Sequence, residues 1–348
     1  MTTGRGKHHH SPPSPPVRDT GTSPSHPSPP VRDTGTPQSH PSPPVRDTGT
    51  PHFPGNATSR DTGTPLALYN AAAQDAAAQV IARYSTSFGL GTRLLDRRTR
   101  THITSIYAMV RVADEIVDTY RGDDARAQLD AFERDVHAAM DGQFSTNLVA
   151  HAFGLTAKAV GISRDQTEPF FCSMRTDLDT CDHTQASFDR YVFGSAEVVG
   201  DMCVAAFLAT PTGPGEIPDA IREGARRLGA AYQKINFLRD LADDDAALGR
   251  SYFPGVTAAT LDDATLAELV EDARLDISAA ETCLAALPTR ARIGVTTTID
   301  IYRRLLAKIA NTPAERLVTT RIKVANPIKL AYAVRNACPG VRSLRRSA

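Results

Sequence analysis

From Leu66 onward the apolar residues of this chain recur every three and four positions, and no run of alternating β-branched residues interrupts them. That period belongs to the amphipathic helix, where positions i, i+3, i+4 and i+7 share one face. Alanine and other strong helix formers dominate the same stretch. The pattern predicts helices near 67–84, 97–119, 124–141, 147–160, 164–180, 186–209, 217–246, 261–285, 289–310 and 324–337. It breaks at Pro211-Thr212-Gly213-Pro214-Gly215, at Tyr252-Phe253-Pro254-Gly255, at Pro288 and at Pro313. Proline there removes a backbone donor and glycine frees the turn. The fold class is all-α, with long helices around a central space.

Residues 1–65 read differently. Ser14-Pro15-Pro16-Val17-Arg18-Asp19-Thr20-Gly21-Thr22 recurs at Ser28 and Ser42, and its end recurs as Arg60-Asp61-Thr62-Gly63-Thr64. A 14-residue period is too short for a helix-pair solenoid. Proline, glycine and serine dominate, and there is almost nothing aromatic to bury, so disorder is expected. The repeat reads either as a flexible leader or as translated repetitive DNA upstream of the true start. His8-His9-His10 is a bland feature of that tail. The expected organisation is a tail over 1–65, one catalytic domain over 66–337 and a basic C-terminal tail over 338–348.

Composition excludes more than it selects. Lys plus Arg and Asp plus Glu each number 39, so no global field points to nucleic acid. The five cysteines (Cys172, Cys181, Cys203, Cys283, Cys338) lack paired short spacings, which argues for reduced thiols rather than zinc or disulfides. No stretch approaches 18 uninterrupted apolar residues, and the N-terminus lacks a signal-peptide core. A cytoplasmic protein without a spanning helix is the expectation.

Chemistry enters at Tyr107-Ala108-Met109-Val110-Arg111-Val112-Ala113-Asp114-Glu115-Ile116-Val117-Asp118. Asp114 and Asp118 are four apart and stack on one helix face, with Arg111 and Tyr107 extending the stripe. Such a pair costs a few tenths of a kcal/mol (about 0.2–0.5) in an isolated helix unless a cation sits between. Alone it reads most simply as a solvated acidic face. A second stripe changes the balance: Gln233, Asn236, Asp240 and Asp244 are spaced three, four and four, while Phe237, Leu238 and Leu241 point toward packing. Two such faces across one cavity would suit Mg²⁺ and a substrate with a diphosphate leaving group. Arg111 and Arg239, each beside an acidic pair, fit a diphosphate clamp, although an intrahelical ion pair explains either one equally well. The Ala/Val/Phe stripe of 186–209 reads as plain core that also permits an apolar lining.

These residues resemble the squalene/phytoene synthase family. Tyr84-Ser85-Thr86-Ser87-Phe88, Tyr107 through Asp118, Tyr191-Val192-Phe193-Gly194-Ser195-Ala196, Gln233 through Asp244 and Gly249-Arg250-Ser251-Tyr252-Phe253-Pro254 occur in its order and spacing, from about Leu66 to Lys329. The sub-pattern looks most like the actinobacterial phytoene-forming members. The resemblance implies a class I isoprenoid synthase helical bundle around a central cavity. It also implies that two geranylgeranyl diphosphates condense head to head, through prephytoene diphosphate, to phytoene, the first committed step of carotenoid synthesis. By the same resemblance Asp114, Asp118, Asn236, Asp240 and Asp244 hold Mg²⁺ (or Mn²⁺), and Arg111, Arg239 and Arg321 bind diphosphate. Tyr107, Tyr191 and Tyr302 line the site near the cations. Ser87, Phe88 and Gln233 bound the substrate, and Tyr252 belongs to a covering flap. No nicotinamide cofactor is expected.

The chain departs from many relatives at Ala196-Glu197-Val198-Val199-Gly200, where they carry Ala-Gly-Thr-Val-Gly; Glu197 is expected near the cavity. A farnesyl diphosphate enzyme making squalene, hydroxysqualene or diapophytoene is the alternative within the class. A non-catalytic helical assembly factor is the alternative outside it, disfavoured because all four aspartates are present. A forty-carbon product also implies transient contact with the inner face of the cell membrane. The basic end (Arg335, Arg342, Arg345, Arg346) is one candidate surface, though a solvated tail explains it better. The sequence leaves the oligomeric state open.

Overall fold

A computed structural model describes residues 63–120, 122–179, 182–248 and 251–337, without the side chains of 242–248. The repeat tail, the side chain of Asp244, the Gly249-Arg250 pair and Arg342, Arg345 and Arg346 lie outside the described residues. Among those described, secondary structure is helical, and only two isolated bridges occur, Asp182–Ser251 and Thr210–Gly213.

Capping chemistry sets the first boundaries. Thr64 accepts a hydrogen bond from the Ala67 N–H, and Pro65 opens α1 (Pro65–Tyr84). Ser85 ends α1 and at once caps α2 (Thr86–Arg93), its hydroxyl accepting from the Phe88 N–H. The Asp96 carboxylate caps α3 (Arg97–Asp118) by accepting from Thr99. The buried stripe of α3 runs Ile106, Met109, Ala113, Val117, which places Tyr107, Arg111, Asp114 and Asp118 on an adjoining face.

The chain continues through α4 (Ala125–Met140), α5 (Leu148–Val160), α6 (Arg164–Asp179) and α7 (Gln185–Val192). A π-helical stretch, Phe193–Glu197, joins α7 to α8 (Val198–Leu208), so the single helix expected over 186–209 contains one wide turn. Such π-bulges insert a residue and re-aim the side chains beyond it. Gln185–Leu208 is long and apolar enough to cross a bilayer, although no run of 18 uninterrupted apolar residues occurs in it. Yet 61% of its apolar window is buried inside the bundle.

The 30-residue α9 (Asp219–Leu248) is the spine. Its Ala231, Ile235 and Leu238 are fully buried, the latter two contributing about 1.5–3 kcal/mol each. A Cβ at Gly229 would sit 2.4 Å from the Ala196 carbonyl oxygen, so glycine there lets α9 touch the π-helical stretch. The remainder comprises α10 (Asp263–Glu281), α11 (Thr289–Ala310), the short α12 (Ala314–Leu317) and α13 (Asn326–Ala337). Two apolar clusters form the core. One gathers side chains of α3 to α6 and α8, including Phe153, Phe170 and Phe171. The other gathers α7, α9, α10 and α11, including Ile235, Leu238 and Ile277.

Candidate active site

A cavity of about 680 Å³ lies where α3 faces α9. Fourteen of the fifteen residues singled out from sequence line it: Ser87, Phe88, Tyr107, Arg111, Asp114, Asp118, Tyr191, Gln233, Asn236, Arg239, Asp240, Tyr252, Tyr302 and Arg321. Asp244 is the exception, its side chain lying outside the described residues. The cavity is polar at one end, where the aspartates and arginines gather. Elsewhere its wall is mostly apolar, with Ile103, Val199, Phe207, Leu228 and Val295 among the lining residues.

The two acidic faces differ in how their charge is met. On α3, Arg111 Nη1 stands 3.9 Å from Asp114 and 3.4 Å from Glu115, so the guanidinium leans toward the latter. Burial, then the neighbouring charge of Asp118, push the Asp114 carboxyl up to about 7, and Arg111 only partly offsets them. Its side chain keeps 28% of its surface open, but that surface faces the cavity rather than bulk water. On α9, Arg239 Nε donates to Asp240 Oδ1 at 2.9 Å, and Arg239 Nη2 closes a second contact with Oδ2. Arg321 Nε reaches Asp240 Oδ1 at 2.8 Å. Arg321, the residue furthest along the chain, therefore belongs to the same polar end.

Aromatic rings surround the region between the faces. Tyr302 donates to Asn236 Oδ1 at 3.3 Å, and burial raises its phenol to about 12. The Tyr191 hydroxyl donates to Asp177 Oδ2 at 2.9 Å; burial and then that carboxylate hold it neutral. Tyr252 also reaches Asp177, at 3.4 Å, and its ring stacks on Phe237 at 4.1 Å. Phe237, expected to face packing alone, thus packs and lines the cavity as well.

Two expectations are corrected. Glu197 does not line the cavity; it lies on the α9 side of the π-helical stretch, its carboxyl raised by burial and eased by Arg226. Helix geometry turned the residue outward while Ser195 and Ala196 face inward. Arg335 is no free basic surface: it pairs with Asp300 and stacks over Tyr332 at 4.8 Å.

Among the polar lining residues that sequence reasoning missed are Asp177, Tyr232 and Lys329. Asp177 stands alone on α6 without a second acid one turn away, and Lys329, bonded to Thr86 Oγ1 at 2.6 Å, is the only cation in its short helix's first turns. Tyr232 adjoins Gln233, whose spacing to Asn236 drew attention away from it. The signal available for all three was a polar or aromatic side chain amid apolar helix faces.

The squalene/phytoene synthase model matches residues 81–327, more than half of the chain. The chain belongs to the squalene/phytoene synthase family. A 15-cis-phytoene synthase of a Synechocystis species is 32% identical over 184 residues, covering 51% of this chain and 54% of that protein. A presqualene diphosphate synthase of Zymomonas mobilis is 28% identical over 193 residues, covering 51% and 59%. This chain thus spans little more than half the length of these relatives. A crystal structure of a dehydrosqualene synthase with a ligand superimposes with a TM-score of 0.65 at 20% identity, over 82% of this chain and 100% of that one. At that identity the likeness shows the isoprenoid synthase helical fold.

Among the described residues no three acid, histidine or cysteine side chains converge as a preformed metal cluster. Asp114 and Asp118 nonetheless place two oxygen-donor groups at a cavity wall, where a hard cation would relieve their repulsion. Family members bind diphosphates, whose oxygens would complete such a shell. The buried Arg111 Nε has no hydrogen-bond acceptor among the described residues, which suits an incoming anion.

Proposed function

We propose that this protein joins two geranylgeranyl diphosphates head to head, yielding phytoene by way of prephytoene diphosphate. The observation that carries the reading is the single cavity in which arginines and paired carboxylates meet at one end and an apolar wall continues beyond them. A prenyl diphosphate has the same division, a charged head on a hydrocarbon tail. The phytoene synthase relative supports the twenty-carbon substrate. The presqualene diphosphate synthase relative supports a second reading, condensation of two fifteen-carbon diphosphates in the same site.

In this mechanism Arg111, Arg239 and Arg321 bind the diphosphate heads. The C1–O bond of one substrate breaks with its electron pair leaving on the diphosphate, where the guanidiniums stabilise the developing charge. Asp114, Asp118, Asn236, Asp240 and Asp244 would hold Mg²⁺, which when bound supplies further neutralisation of that leaving group. Asp240, paired with two arginines before substrate arrives, becomes available as those arginines turn to the anion. The alkene of the second substrate attacks the allylic cation and closes a cyclopropane with loss of a proton. Tyr107, Tyr191 and Tyr302 present neutral rings to the cationic carbons, and Phe88 with Tyr252 keeps water out. The second ionisation, rearrangement and proton loss reuse the same groups without a reductant. Both substrates and product partition into lipid, so transient contact with the inner face of the cell membrane is part of the proposal.

The test is an assay with Mg²⁺ and detergent, offering geranylgeranyl and farnesyl diphosphate separately and identifying extracted products by mass. A forty-carbon hydrocarbon from the first supports the reading; a thirty-carbon product from the second alone replaces it.

A further inference from the structure

The cavity-facing stripe of α9 changes character along its length. Asp240, Asn236 and Gln233 stand at the polar end, and Leu228, Ala225 and Ile221 continue down the apolar wall. Tyr232 is the boundary, one helical turn below Asn236, roughly 5–6 Å along the axis. With a diphosphate held at the arginines, a side chain at that depth faces the first carbons of the chain attached to it.

The surroundings fix what Tyr232 can offer there. Thr298 donates its one hydroxyl proton to the Val295 carbonyl at 2.9 Å. The 2.8 Å contact between Tyr232 Oη and Thr298 Oγ1 is therefore donated by the tyrosine. Its proton is committed to the helix behind it. Tyr302 stacks on the ring with centroids 4.0 Å apart, and Phe88 meets it edge-on at 5.8 Å. A phenol that donates outward, backed by a second donating phenol, presents an electron-rich π surface rather than a nucleophilic oxygen.

We propose that Tyr232 is a further ring facing the carbocation, beside those of Tyr107, Tyr191 and Tyr302: its π surface stabilises the positive charge left on the carbons next to the departing diphosphate. This rests on the prenyl diphosphate chemistry proposed above. No bond forms to Tyr232; the C1–O electron pair leaves with the diphosphate and the ring stabilises the resulting cation through space. Neither spacing nor charge marked this residue in the sequence.

The test replaces Tyr232 with phenylalanine and then with mono-, di- and trifluorophenylalanine, which keep the ring's shape while draining its π density. Turnover should fall stepwise, about tenfold across the series, with KM little changed and the helical circular dichroism constant. Binding of a trialkylammonium analogue of the allylic cation, measured by calorimetry with inorganic diphosphate, should weaken in the same order. Tyr232→Phe, which loses the hydroxyl and keeps the ring, is the reference against which the fluorinated rings are compared. A flat series in both turnover and ammonium binding overturns the proposal, since packing alone would not respond to ring electronics. If the parent protein turns over no prenyl diphosphate, the reaction assigned above fails. The ammonium binding series then still decides the role of Tyr232.

Discussion

The α3 and α9 faces each carry two aspartates four residues apart with an arginine nearby, yet Asp114 and Asp240 sit in opposite electrostatic surroundings. Asp114 on α3 is half-buried beside a like charge, and the Arg111 guanidinium near it is shared with Glu115. Asp240 on α9 is held by both Arg239 and Arg321. On α3 the buried, like-charged neighbourhood of Asp114 favours a cation; on α9 Asp240 is already paired with two guanidiniums. On this difference we propose an order of events: a cation would approach α3 first, and Asp240 on α9 would become a ligand only after an anion draws its arginines away.

The largest expected effect comes from removing either carboxylate. Asp114→Asn and Asp240→Asn should each lower turnover by roughly three orders of magnitude, about 4 kcal/mol of transition-state stabilisation, with unchanged helical circular dichroism. Near-normal activity in both variants would end the metal assignment. Next is an effect on substrate affinity. Arg321→Gln should raise KM about tenfold and leave the fold intact, because Arg321 is 42% exposed and carries little of the packing.

Stability separates the faces more sharply than activity does. In metal-free protein at pH 8, Asp114→Asn should stabilise by about 1 kcal/mol, since it removes a buried charge next to Asp118. Asp240→Asn should destabilise by about 1 kcal/mol, since it removes the acceptor that two guanidiniums share. Equal signs in thermal melts would break the comparison. The pH dependence follows from the same cause. Asp114 binds its proton more tightly in the folded chain, with a pKa of about 7 against an ordinary 3.8. Its contribution to stability is full below about pH 4 and is lost as pH rises through about 7. Melts in EDTA from pH 4.5 to 8 should therefore show a declining contribution that Asp114→Asn abolishes. The smallest effect concerns residues 1–60, which we propose lie outside the catalytic domain: their deletion should leave turnover within about twofold of the full chain, as the domain keeps both its faces and its core.

Much of this was legible in the helical period. The stripe of Ile106, Met109, Ala113 and Val117 predicts α3 to within a residue, and with it the face that carries Asp114 and Asp118. The break between α1 and α2 was less visible, because a single serine serves as the end of one helix and the cap of the next. Glycine at 89 and 91 further weakened the helical signal there, though a Cβ at Gly91 would come within 3.3 Å of the Gly294 carbonyl on α11. The π-helical turn was not legible at all. One inserted residue leaves the hydrophobic pattern unchanged. The pairing of Arg321 with Asp240 was hidden for another reason: it joins residues far apart in sequence through a loop with no periodic pattern.

The account is tested most directly by counting Mg²⁺ bound per protein chain, by calorimetry, with and without inorganic diphosphate. The stoichiometry should rise when diphosphate is added, and the increment should vanish in Asp240→Asn while the binding seen without diphosphate vanishes in Asp114→Asn. The same stoichiometry in the presence and absence of diphosphate would contradict the proposed difference between the two faces.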